Sequence, residues 1–473
     1  MWIKILLLFF VFSFLFRTDL SFDQDLGRHI KLGEIILQTH EVPKVNLFSY
    51  TNPDFPFINT HWLFEVLAYI FSQTLGMQTL LILKVIIFLL SVWLILKIIP
   101  KENQSLLLPI GFIFLHVLRE RLELRPEIFS FLFTASTYFI LERFNQTPHD
   151  RRTFVPKLIW FLPIIQLIWI NTHIYFFVGL LLQGVFLLYL LQQRICTQAS
   201  PGRLKIQVEV FILSVLVSLI NPNGVAGFLY PLNVSKNYGY TIVENQTMFL
   251  LESIKFSDPN FLFVKLSLGI AVLSLIRRKF VLKNILLILS GAILALMNVR
   301  SFPYLVFLTL PATLRNIGPV KPNTFTKTLA LIFAAVLFFE SFGYFKTRLI
   351  LGESAKGAVD FVLANNLPQP IFNNFDIGSY IIYRGYPKYK VFVDGRPEAY
   401  PAEFFQNTYI PMQSDYAKFK IEEEKWGFKT IIFSITDQTP WGRNFLQEAA
   451  KDKSWKMVYL DNFMVVLEKN KPQ

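Results

Sequence analysis

Acidic and basic side chains gather in a polar segment near the start of the chain, from Asp19 to Glu65. Asp23 and Asp25 follow the first apolar stretch, and Arg28 and His29 come within the next helical turn. Because a carboxylate can accept a proton and a cation can bind an anionic group, this pattern is typical of an active site. The alternative is an ordinary solvated loop, whose scattered charges carry no function.

The composition of the chain indicates a protein that crosses a membrane many times. Of its 473 residues, 53% are hydrophobic, 17% are charged and 50 are phenylalanine, which is far from the balance of a soluble domain. We assign the formal net charge of +13 to loops that face anionic lipid, and not to nucleic-acid binding. A single cysteine, Cys196, excludes an internal disulfide and a cysteine-based zinc site, and the six histidines are too scattered to suggest a metal site.

The apolar segments predict eleven transmembrane helices, of which the first is an uncleaved anchor because it lacks a small-residue cleavage site. Before the second crossing, residues 61–75 predict a helix that lies on the membrane surface or is half-buried in it. The predicted crossings are 2–16, 77–99, 105–118, 127–141, 156–170, 174–191, 206–220, 259–276, 281–297, 302–314 and 326–345.

The distribution of Lys and Arg predicts a cytoplasmic N-terminus. With that orientation the five inner loops hold sixteen Lys and Arg in 57 residues, and the five outer loops hold ten in 98. The inner loops are 97–104, 143–157, 192–205, 277–283 and 315–327. Since basic residues are enriched in cytoplasmic loops, the sequence places the first polar loop, residues 17–61, and the C-terminus outside.

Further polar residues collect in the predicted outer loops, on the same side as Asp23 and Asp25. Each one alone is explained by a helix cap or a lipid headgroup contact. Taken together they indicate a polar site at one face of the membrane, since they contribute nothing to orientation. They are Arg119, Glu120, Arg121, Glu123, Arg125, Asn171, His173, Asn221, Asn223, Glu244 and Arg300.

The composition changes after residue 345, where charged residues become frequent and long apolar runs end. We therefore predict two domains, a transmembrane domain over 1–345 and a small soluble α/β domain over 346–473. Within the second domain, 354–366 predicts a helix, 390–393 and 430–435 predict strands, Thr439 and Pro440 predict a helix start, and 456–460 with 463–467 predicts a hairpin. The Asp394-Gly395-Arg396 string is interpreted as a turn at a strand end in preference to an acceptor contact. This domain has no Gly-rich phosphate loop, serine nucleophile motif or zinc-ligand spacing, so no motif predicts a catalytic site within it.

Several strings taken in order resemble bacterial membrane glycosyltransferases of the GT-C superfamily, which includes protein O-mannosyltransferases and lipid A aminoarabinose transferases. The strings run from about residue 19 to 400, so the resemblance covers most of the chain. They are FDQDLGRHIKLGEI, VPKVNLFSYTNP, HWLFEVLAYI, RLELRPEIFSFL, WINTHIYFFVGLL, LINPNGVAGFLYPL, NVRSFPYLVFLTLP and FNNFDIGSYIIYRGYPKYKVFVDGRPEAY.

The resemblance implies an enzyme that takes a sugar from a polyprenyl-phosphate carrier and passes it to a protein, lipid or glycan acceptor on the outer side of the bacterial inner membrane. By its place in the family string, Asp25 is the predicted base; Asp23 is the second candidate and could instead orient a substrate or a metal. The leaving phosphate requires fixed cations, and the predicted phosphate-binding set is Arg119, Arg121, Arg125 and Arg300 with His173. The predicted substrate-binding residues are Arg28, His29, His61, Glu65, Arg119, Arg121, Arg125, His173, Glu244 and Arg300. No cofactor is predicted, and a divalent metal is the less favoured alternative.

Two other functions fit a polytopic protein with these features. A transporter or lipid flippase would place ionisable groups within its helices and show two similar halves. Lys84 and Lys265 are charges of that kind, but no internal repeat is apparent. A GT-C-like subunit without catalytic activity, which binds a partner through its outer domain, is the second alternative.

Overall fold

A computed structural model describes residues 2–16, 25–146, 155–197, 201–233, 238–256, 258–276, 281–348 and 355–470. Asp23 lies outside these described residues. The chain forms two compact units. The first comprises Met1–Thr18, Leu81–Pro231 and Ile242–Ile350, and the second comprises Asp19–Leu80, Leu232–Thr241 and Leu351–Gln473. The first polar loop therefore belongs to the same unit as the C-terminal residues.

The described part of the first unit is α-helical, and a helix lies in each of the eleven predicted apolar segments. The helices of these segments are Trp2–Leu15, Met77–Ile98, Leu107–His116, Glu127–Gln146, Leu162–Thr172, Phe177–Thr197, Pro201–Val217, Asn260–Ser274, Leu282–Met297, Phe302–Ile317 and Thr324–Arg348. Met77–Ile98 begins in the second unit and continues into the first. Two short helices, Gly224–Leu229 and Met248–Ser253, lie in the long segment between 217 and 260.

Three helical stretches of the described residues are long and apolar enough to cross a membrane by length and composition: Met77–Ile98, Ile174–Cys196 and Thr324–Phe345. Only 11% of the apolar stretch of Thr324–Phe345 is buried inside the protein. An apolar surface this large is unfavourable in water and is typical of a helix that faces lipid. The number of crossings, eleven, stays a prediction.

The helix Phe302–Ile317 forms the core of the first unit, because all but two of its 16 residues are buried. Pro303 lies in the first turn of this helix, where its missing N–H costs nothing, and Gly318 ends the helix with a positive φ of 75°. The neighbouring helix Leu282–Met297 approaches closely at Gly291. A Cβ atom at Gly291 would lie 2.4 Å from the Thr309 side chain, so only glycine permits this packing distance.

A buried ion cluster, which has no signal in the sequence, joins three helix ends of the first unit. The Lys283 ammonium donates to both oxygens of Glu142 at 3.0 and 2.9 Å, and the Arg315 guanidinium lies 2.9 Å from the same carboxylate. Arg315 also donates to the main-chain oxygen of Ile98 at 2.9 Å. Since two buried cations share the Glu142 carboxylate as a counter-ion, this carboxylate is expected to stabilise the bundle strongly.

The second unit combines the first polar loop with a small α/β assembly. The first loop supplies the helices Leu26–Thr39 and Trp62–Thr74, and the second of these confirms the helix predicted over 61–75. The C-terminal residues supply the helices Lys356–Ala364, Gly378–Gly385, Ile410–Ser414, Tyr416–Trp426 and Pro440–Ala449 and the strands β1 (Ile371–Asn373), β2 (Thr430–Ser434), β3 (Trp455–Leu460) and β4 (Met464–Lys469). The four strands form a sheet in the order β1-β2-β4-β3, in which only the β1-β2 pair is parallel.

Local sequence signals predicted several of these elements correctly. The β3-β4 hairpin turns at Asp461, whose carboxylate accepts from the main-chain N–H groups of Phe463 and Met464. Thr439 caps the helix Pro440–Ala449 by accepting from the N–H of Gly442 at 3.1 Å.

The strand predicted at 390–393 is wrong. Val391 forms only an isolated bridge to Ser49, and its N–H donates to the main-chain oxygen of Phe48 at 3.0 Å. The Asn373 side chain accepts from the N–H of Phe392 and donates to the oxygen of Val393. These main-chain groups are thus satisfied by a side chain and by the first loop instead of a strand ladder.

The Asp394-Gly395-Arg396 string forms a buried ion pair. The Arg396 guanidinium donates to both carboxylate oxygens of Asp394, at 2.8 and 2.7 Å, and to the Asn46 side chain at 2.9 Å. Its guanidinium carbon also lies 5.1 Å from the Phe48 ring and 5.0 Å from the Phe57 ring. Because three of these partners come from the first loop, Arg396 ties that loop to the C-terminal part of the second unit.

Candidate functional site

Three guanidinium groups converge on one carboxylate in the first unit. Glu244 accepts from Arg125 at 3.0 and 2.9 Å and from Arg300 at 3.2 Å, and it lies 2.7 Å from Arg121. These residues come from three separate predicted outer loops, and four of the site residues predicted from the sequence are therefore brought together. We call Arg121, Arg125, Arg300 and Glu244 the arginine cluster.

The arginine cluster is held by the local structure on each side. Arg121 forms a two-pronged salt bridge of 2.6 Å to both oxygens of Glu127, the first residue of its helix, so its fork is fixed. The 3₁₀ turns that carry Glu244 and Arg300 are joined by a hydrogen bond of 3.0 Å from the Val299 N–H to the Gln246 oxygen. Glu127 is not among the site residues predicted from the sequence, although its spacing of six residues from Arg121 is a visible signal.

The electrostatics of the arginine cluster favour binding of an anion. Burial alone would raise the pKa of Glu244, but the charges of Arg121, Arg125 and Arg300 together lower it well below its usual value. The carboxylate is therefore ionised at neutral pH. Among the groups in direct contact, three guanidinium charges face the two carboxylates of Glu127 and Glu244, which leaves one positive charge. The neighbouring Glu120, whose pKa is raised to about 7 by burial and by Asp258, offsets part of this charge when it is ionised. Arg300 is 27% exposed and Arg121 only 4%, so an incoming anion reaches Arg300 most readily.

His173 lies in a neighbouring aromatic stack of the first unit. Its Nδ1 is 2.7 Å from the Ser130 hydroxyl, and its ring stacks on that of Tyr175 at 5.3 Å between centroids. The Tyr175 hydroxyl in turn lies 2.8 Å from that of Ser301, the residue after Arg300. His173 is thus buried and connected through Tyr175 to the turn that carries Arg300.

Arg119, the fourth arginine in the predicted phosphate-binding set, belongs to a different group of side chains. It lies over the Tyr344 ring at 4.9 Å and 4.0 Å from Glu340. Glu340 is also 2.7 Å from Nε2 of the buried His116, and it accepts from the Tyr344 hydroxyl at 2.6 Å. The pair of His116 and Glu340 has no local sequence signal, because the two residues are 224 positions apart.

Asp25, the predicted base, occupies the N-cap position of the helix Leu26–Thr39 in the second unit. Its carboxylate accepts from Arg28 at 2.6 Å. The N–H of Arg28 donates to the Ser379 hydroxyl at 2.9 Å, which attaches the start of this helix to the helix Gly378–Gly385. The Asp25 side chain keeps an exposed fraction of 19%, so it is accessible from solvent.

His29, Glu65 and His61 also lie together in the second unit. The Nδ1 atom of His29 is 3.0 Å from the Glu65 carboxylate, and the Asn59 amide donates to the other carboxylate oxygen at 2.6 Å. The His61 ring lies 5.6 Å from the His29 ring and is half-buried at the N-cap of the helix Trp62–Thr74. Burial raises the pKa of Glu65 to about 7, although the Asn59 hydrogen bond and the charges of Arg28 and Arg396 oppose this rise.

Gly33 determines how closely the two first-loop helices pack. A Cβ atom at this position would lie 2.0 Å from the main-chain oxygen of Glu65, a distance that no side chain can occupy. Glycine therefore lets the helix Leu26–Thr39 rest directly on the start of the helix Trp62–Thr74. This contact holds His29 against Glu65.

The described residues contain no group of three or more His, Cys, Asp or Glu side chains placed to hold a metal ion. Asp23 is not among these residues, so the less favoured alternative of an ion held by Asp23 and Asp25 stays untested.

Solved structures resemble this chain over almost its whole length. Oligosaccharyltransferase AglB from Archaeoglobus fulgidus, in complex with an inhibitory peptide and a dolichol phosphate, gives a TM-score of 0.64 at 11% identity, with 99% of this chain and 74% of AglB covered. ArnT from Cupriavidus metallidurans, bound to undecaprenyl phosphate, gives a TM-score of 0.51 at 12% identity, with 99% and 98% covered. The chain has the GT-C fold. No protein-family model and no curated protein matches its sequence.

The GT-C fold confirms the fold resemblance found from ordered sequence strings. This fold and the long apolar helices together identify the chain as a multi-pass membrane protein. Its C-terminal residues form a small sheet. At such low sequence identities the similarity establishes the fold and leaves activity to be argued from the side chains.

Proposed function

We propose that this chain is a membrane glycosyltransferase that transfers a sugar from a polyprenyl-phosphate donor to an acceptor on the extracytoplasmic side of the bacterial inner membrane. The observation that carries the proposal is the arginine cluster, an anion-binding arrangement in a GT-C fold. Both AglB and ArnT were solved with a polyprenyl phosphate. The acceptor class, protein, lipid or glycan, is left open.

In the proposed reaction the acceptor hydroxyl oxygen attacks the anomeric carbon of the sugar. A carbon–oxygen bond forms to the acceptor, the bond between the sugar and the carrier phosphate breaks, and the phosphate leaves with the bonding electron pair. The hydroxyl proton passes to the Asp25 carboxylate, with Asp23 as the second candidate. The chemistry requires no redox partner, and a lipid monophosphate lacks the diphosphate that a divalent metal usually bridges.

The residues of the arginine cluster have different proposed roles. Arg300 and Arg125 bind the carrier phosphate, since Arg300 is the most exposed arginine of the cluster and Arg125 contacts the same carboxylate oxygen of Glu244 as Arg300 does. Arg121 positions the others, because its fork is occupied by Glu127 and its remaining nitrogen by Glu244. Glu244 keeps the like charges together until the phosphate arrives.

The transporter and the non-catalytic subunit are less well supported. The pair of His116 and Glu340 adds to the ionisable groups within the helices, yet three of the predicted donor-phosphate ligands, Arg121, Arg125 and Arg300, meet in one cluster. A transporter would leave the sugar-phosphate bond intact. The first test compares envelope glycans and lipid-linked sugars in cells with and without the gene. If the protein is a transferase, cells without the gene should lose one glycan and accumulate the sugar-loaded lipid carrier.

The proposed orientation predicts that Cys196 faces the cytoplasm. Because this cysteine is exposed, a thiol reagent that cannot cross the membrane should leave it unlabelled in intact cells and label it after permeabilisation. A control variant, Cys196→Ser with Ser414→Cys, places an exposed thiol in the C-terminal domain and should be labelled without permeabilisation. Labelling of Cys196 in intact cells would contradict the orientation.

Exchange of a phosphate-binding arginine for lysine should weaken donor binding. Lysine keeps the charge but loses the planar fork, so Arg300→Lys and Arg125→Lys should each raise the dissociation constant of the donor about ten-fold. Thermal stability should be nearly unchanged for Arg300→Lys, whose side chain is the most exposed. Binding of a labelled polyprenyl-phosphate analogue to purified protein measures the effect.

The matched control is Arg384→Lys, an exposed arginine paired with Asp360 at 3.2 Å, for which donor affinity should stay at the wild-type value. Arg119→Lys and Arg121→Lys complete the series. Wild-type affinity in all four variants at Arg119, Arg121, Arg125 and Arg300 would remove the proposed phosphate site.

A further inference from the structure

The turn that carries Arg300 is only three residues long. It is the 3₁₀ turn Val299–Ser301, which lies between the helices Leu282–Met297 and Phe302–Ile317. A 3₁₀ turn of this length has few hydrogen bonds of its own; here the Ser301 N–H donates to the main-chain oxygen of Asn298 at 3.2 Å. The position of the Arg300 guanidinium therefore depends on the groups that hold this turn from outside.

The Asn298 side chain holds the turn by accepting two hydrogen bonds. Its Oδ1 accepts from the Ser301 N–H at 2.9 Å and from the Ser301 hydroxyl at 2.8 Å. Because a main-chain N–H can only donate, the atom that faces it is the amide oxygen, which can only accept. The Ser301 hydroxyl must therefore give its one proton to Asn298. Asn298 is in this way the N-cap residue of the turn.

Tyr175 continues this network from another turn of the first unit. Its hydroxyl lies 2.8 Å from the Ser301 hydroxyl. Since the proton of Ser301 is committed to Asn298, Tyr175 is the donor of this bond. Tyr175 is 8% exposed and Ser301 is 1% exposed, so water cannot readily replace either partner. The Tyr175 ring is itself held by stacking on the Tyr304 ring, at 4.8 Å between centroids.

The residue on the other side of Arg300 is fixed as well. The Val299 N–H donates at 3.0 Å to the main-chain oxygen of Gln246, which lies two residues after Glu244. Arg300 thus lies between two residues that are each tied to a neighbouring segment. Its guanidinium donates to Glu244 at 3.2 Å and is 27% exposed, so it is held in an accessible place before an anion binds.

We propose that Asn298 is a positioning residue that acts through Arg300. By capping the turn, it keeps the Arg300 guanidinium in the place where it binds the phosphate of the polyprenyl donor. A binding group that is already in place avoids the entropic cost of being ordered by the ligand, so donor affinity depends on the cap. The inference rests on the proposed function and adds one residue to the same phosphate site.

The decisive variant is Asn298→Ala, which removes the acceptor of the Ser301 N–H and hydroxyl. The turn should then keep the competent arrangement about a tenth of the time, and the dissociation constant of a labelled polyprenyl-phosphate analogue should rise about ten-fold. Asn298→Ser keeps a neutral capping oxygen and should bind within about two-fold of the wild type. Serine is preferred to aspartate here, because a carboxylate two residues from Arg300 would add a negative charge near the arginine cluster.

Tyr175→Phe is a milder test of the same network. It removes one hydroxyl and leaves both hydrogen bonds to Asn298 in place, so the dissociation constant of the analogue should rise about three-fold. If Asn298→Ala does not fold, wild-type affinity in Tyr175→Phe overturns the inference in its place.

Asn323 offers a matched control in a predicted inner loop of the first unit. Its Oδ1 accepts from the Thr326 N–H at 2.8 Å, with the same three-residue spacing as Asn298 and Ser301. Asn323→Ala should lower thermal stability to a similar extent and leave the dissociation constant unchanged. A merely structural role of Asn298 would reduce the amount of analogue bound at saturation and leave the dissociation constant of the folded molecules at the wild-type value.

A background without the guanidinium tests whether Asn298 acts through Arg300. Adding Asn298→Ala to Arg300→Ala should not weaken binding further. Wild-type affinity in folded Asn298→Ala, an equal loss of affinity in Asn323→Ala, or a further ten-fold loss in the Arg300→Ala background would each overturn the inference. Failure of the wild type to bind the analogue would instead contradict the proposed function, so the two failures are distinguishable.

Discussion

Asp25→Asn should lower sugar transfer by about 10² to 10⁴-fold, which is the usual contribution of a general base. A polyprenyl-phosphate sugar already has a competent leaving group, and the acceptor hydroxyl lacks a base. Asparagine has nearly the same shape as aspartate but cannot take the proton. It is an equally good N-cap residue, and its oxygen can still accept from Arg28, so the fold should survive. Initial rates with matched amounts of wild type and variant measure the effect.

The first loop offers a matched control for Asp25→Asn. Asp54 is exposed and has a positive φ of 63°, a conformation that asparagine tolerates as well as aspartate does. Asp54→Asn should therefore keep both stability and transfer. Asp23→Asn should cost less than Asp25→Asn if Asp23 only orients a substrate. Full activity of Asp25→Asn together with loss of activity in Asp23→Asn would show that the base is Asp23 and not Asp25.

Glu142→Gln should reduce the free energy of unfolding by about 3 to 5 kcal/mol. The substitution leaves Lys283 and Arg315 buried beside a neutral amide, and both cations then lack the carboxylate that offsets their burial. Transfer per folded molecule should change little, because this cluster contains none of the predicted site residues. Unfolding of the purified protein in detergent, followed by circular dichroism, measures the loss.

The control for Glu142→Gln is Glu209→Gln. Glu209 is an exposed carboxylate 4.0 Å from the exposed Lys205, and such pairs contribute little. Its loss should change the free energy of unfolding by less than about 0.5 kcal/mol. Equal destabilisation by the two substitutions would show that the buried cluster does not stabilise the helix bundle as proposed.

Local signals in the sequence predicted the elements whose stabilising contacts are local. The hairpin at Asp461 and the helix capped by Thr439 use partners within three residues, and both are present as predicted. The strand at 390–393 failed because its partners, Phe48 and Asn373, lie elsewhere in the sequence. A local pattern cannot show that a distant segment has taken these hydrogen bonds.

For the candidate site, the sequence predicted the residues but not the contacts between them. The sequence identified the residues of the arginine cluster and both members of the pair of His29 and Glu65. Charged groups in the predicted outer loops do not contribute to membrane orientation, and they therefore indicate a polar site. It did not show that Glu244 holds three arginines or that Asn59 orients Glu65, because hydrogen-bond partners depend on packing. Glu142 and Lys283 are 141 residues apart, and their pairing has no sequence signal.

Transfer of a labelled sugar by the purified protein tests the central claim most directly. Wild type in lipid nanodiscs is given a polyprenyl-phosphate donor with a labelled sugar and an envelope fraction as the acceptor source. The proposed function predicts that the label moves to the acceptor as free polyprenyl phosphate appears, and that the double variant Asp23→Asn with Asp25→Asn does neither. Full transfer by the double variant would refute the catalytic role of the first loop, and a donor that stays intact with wild type would refute the transferase itself.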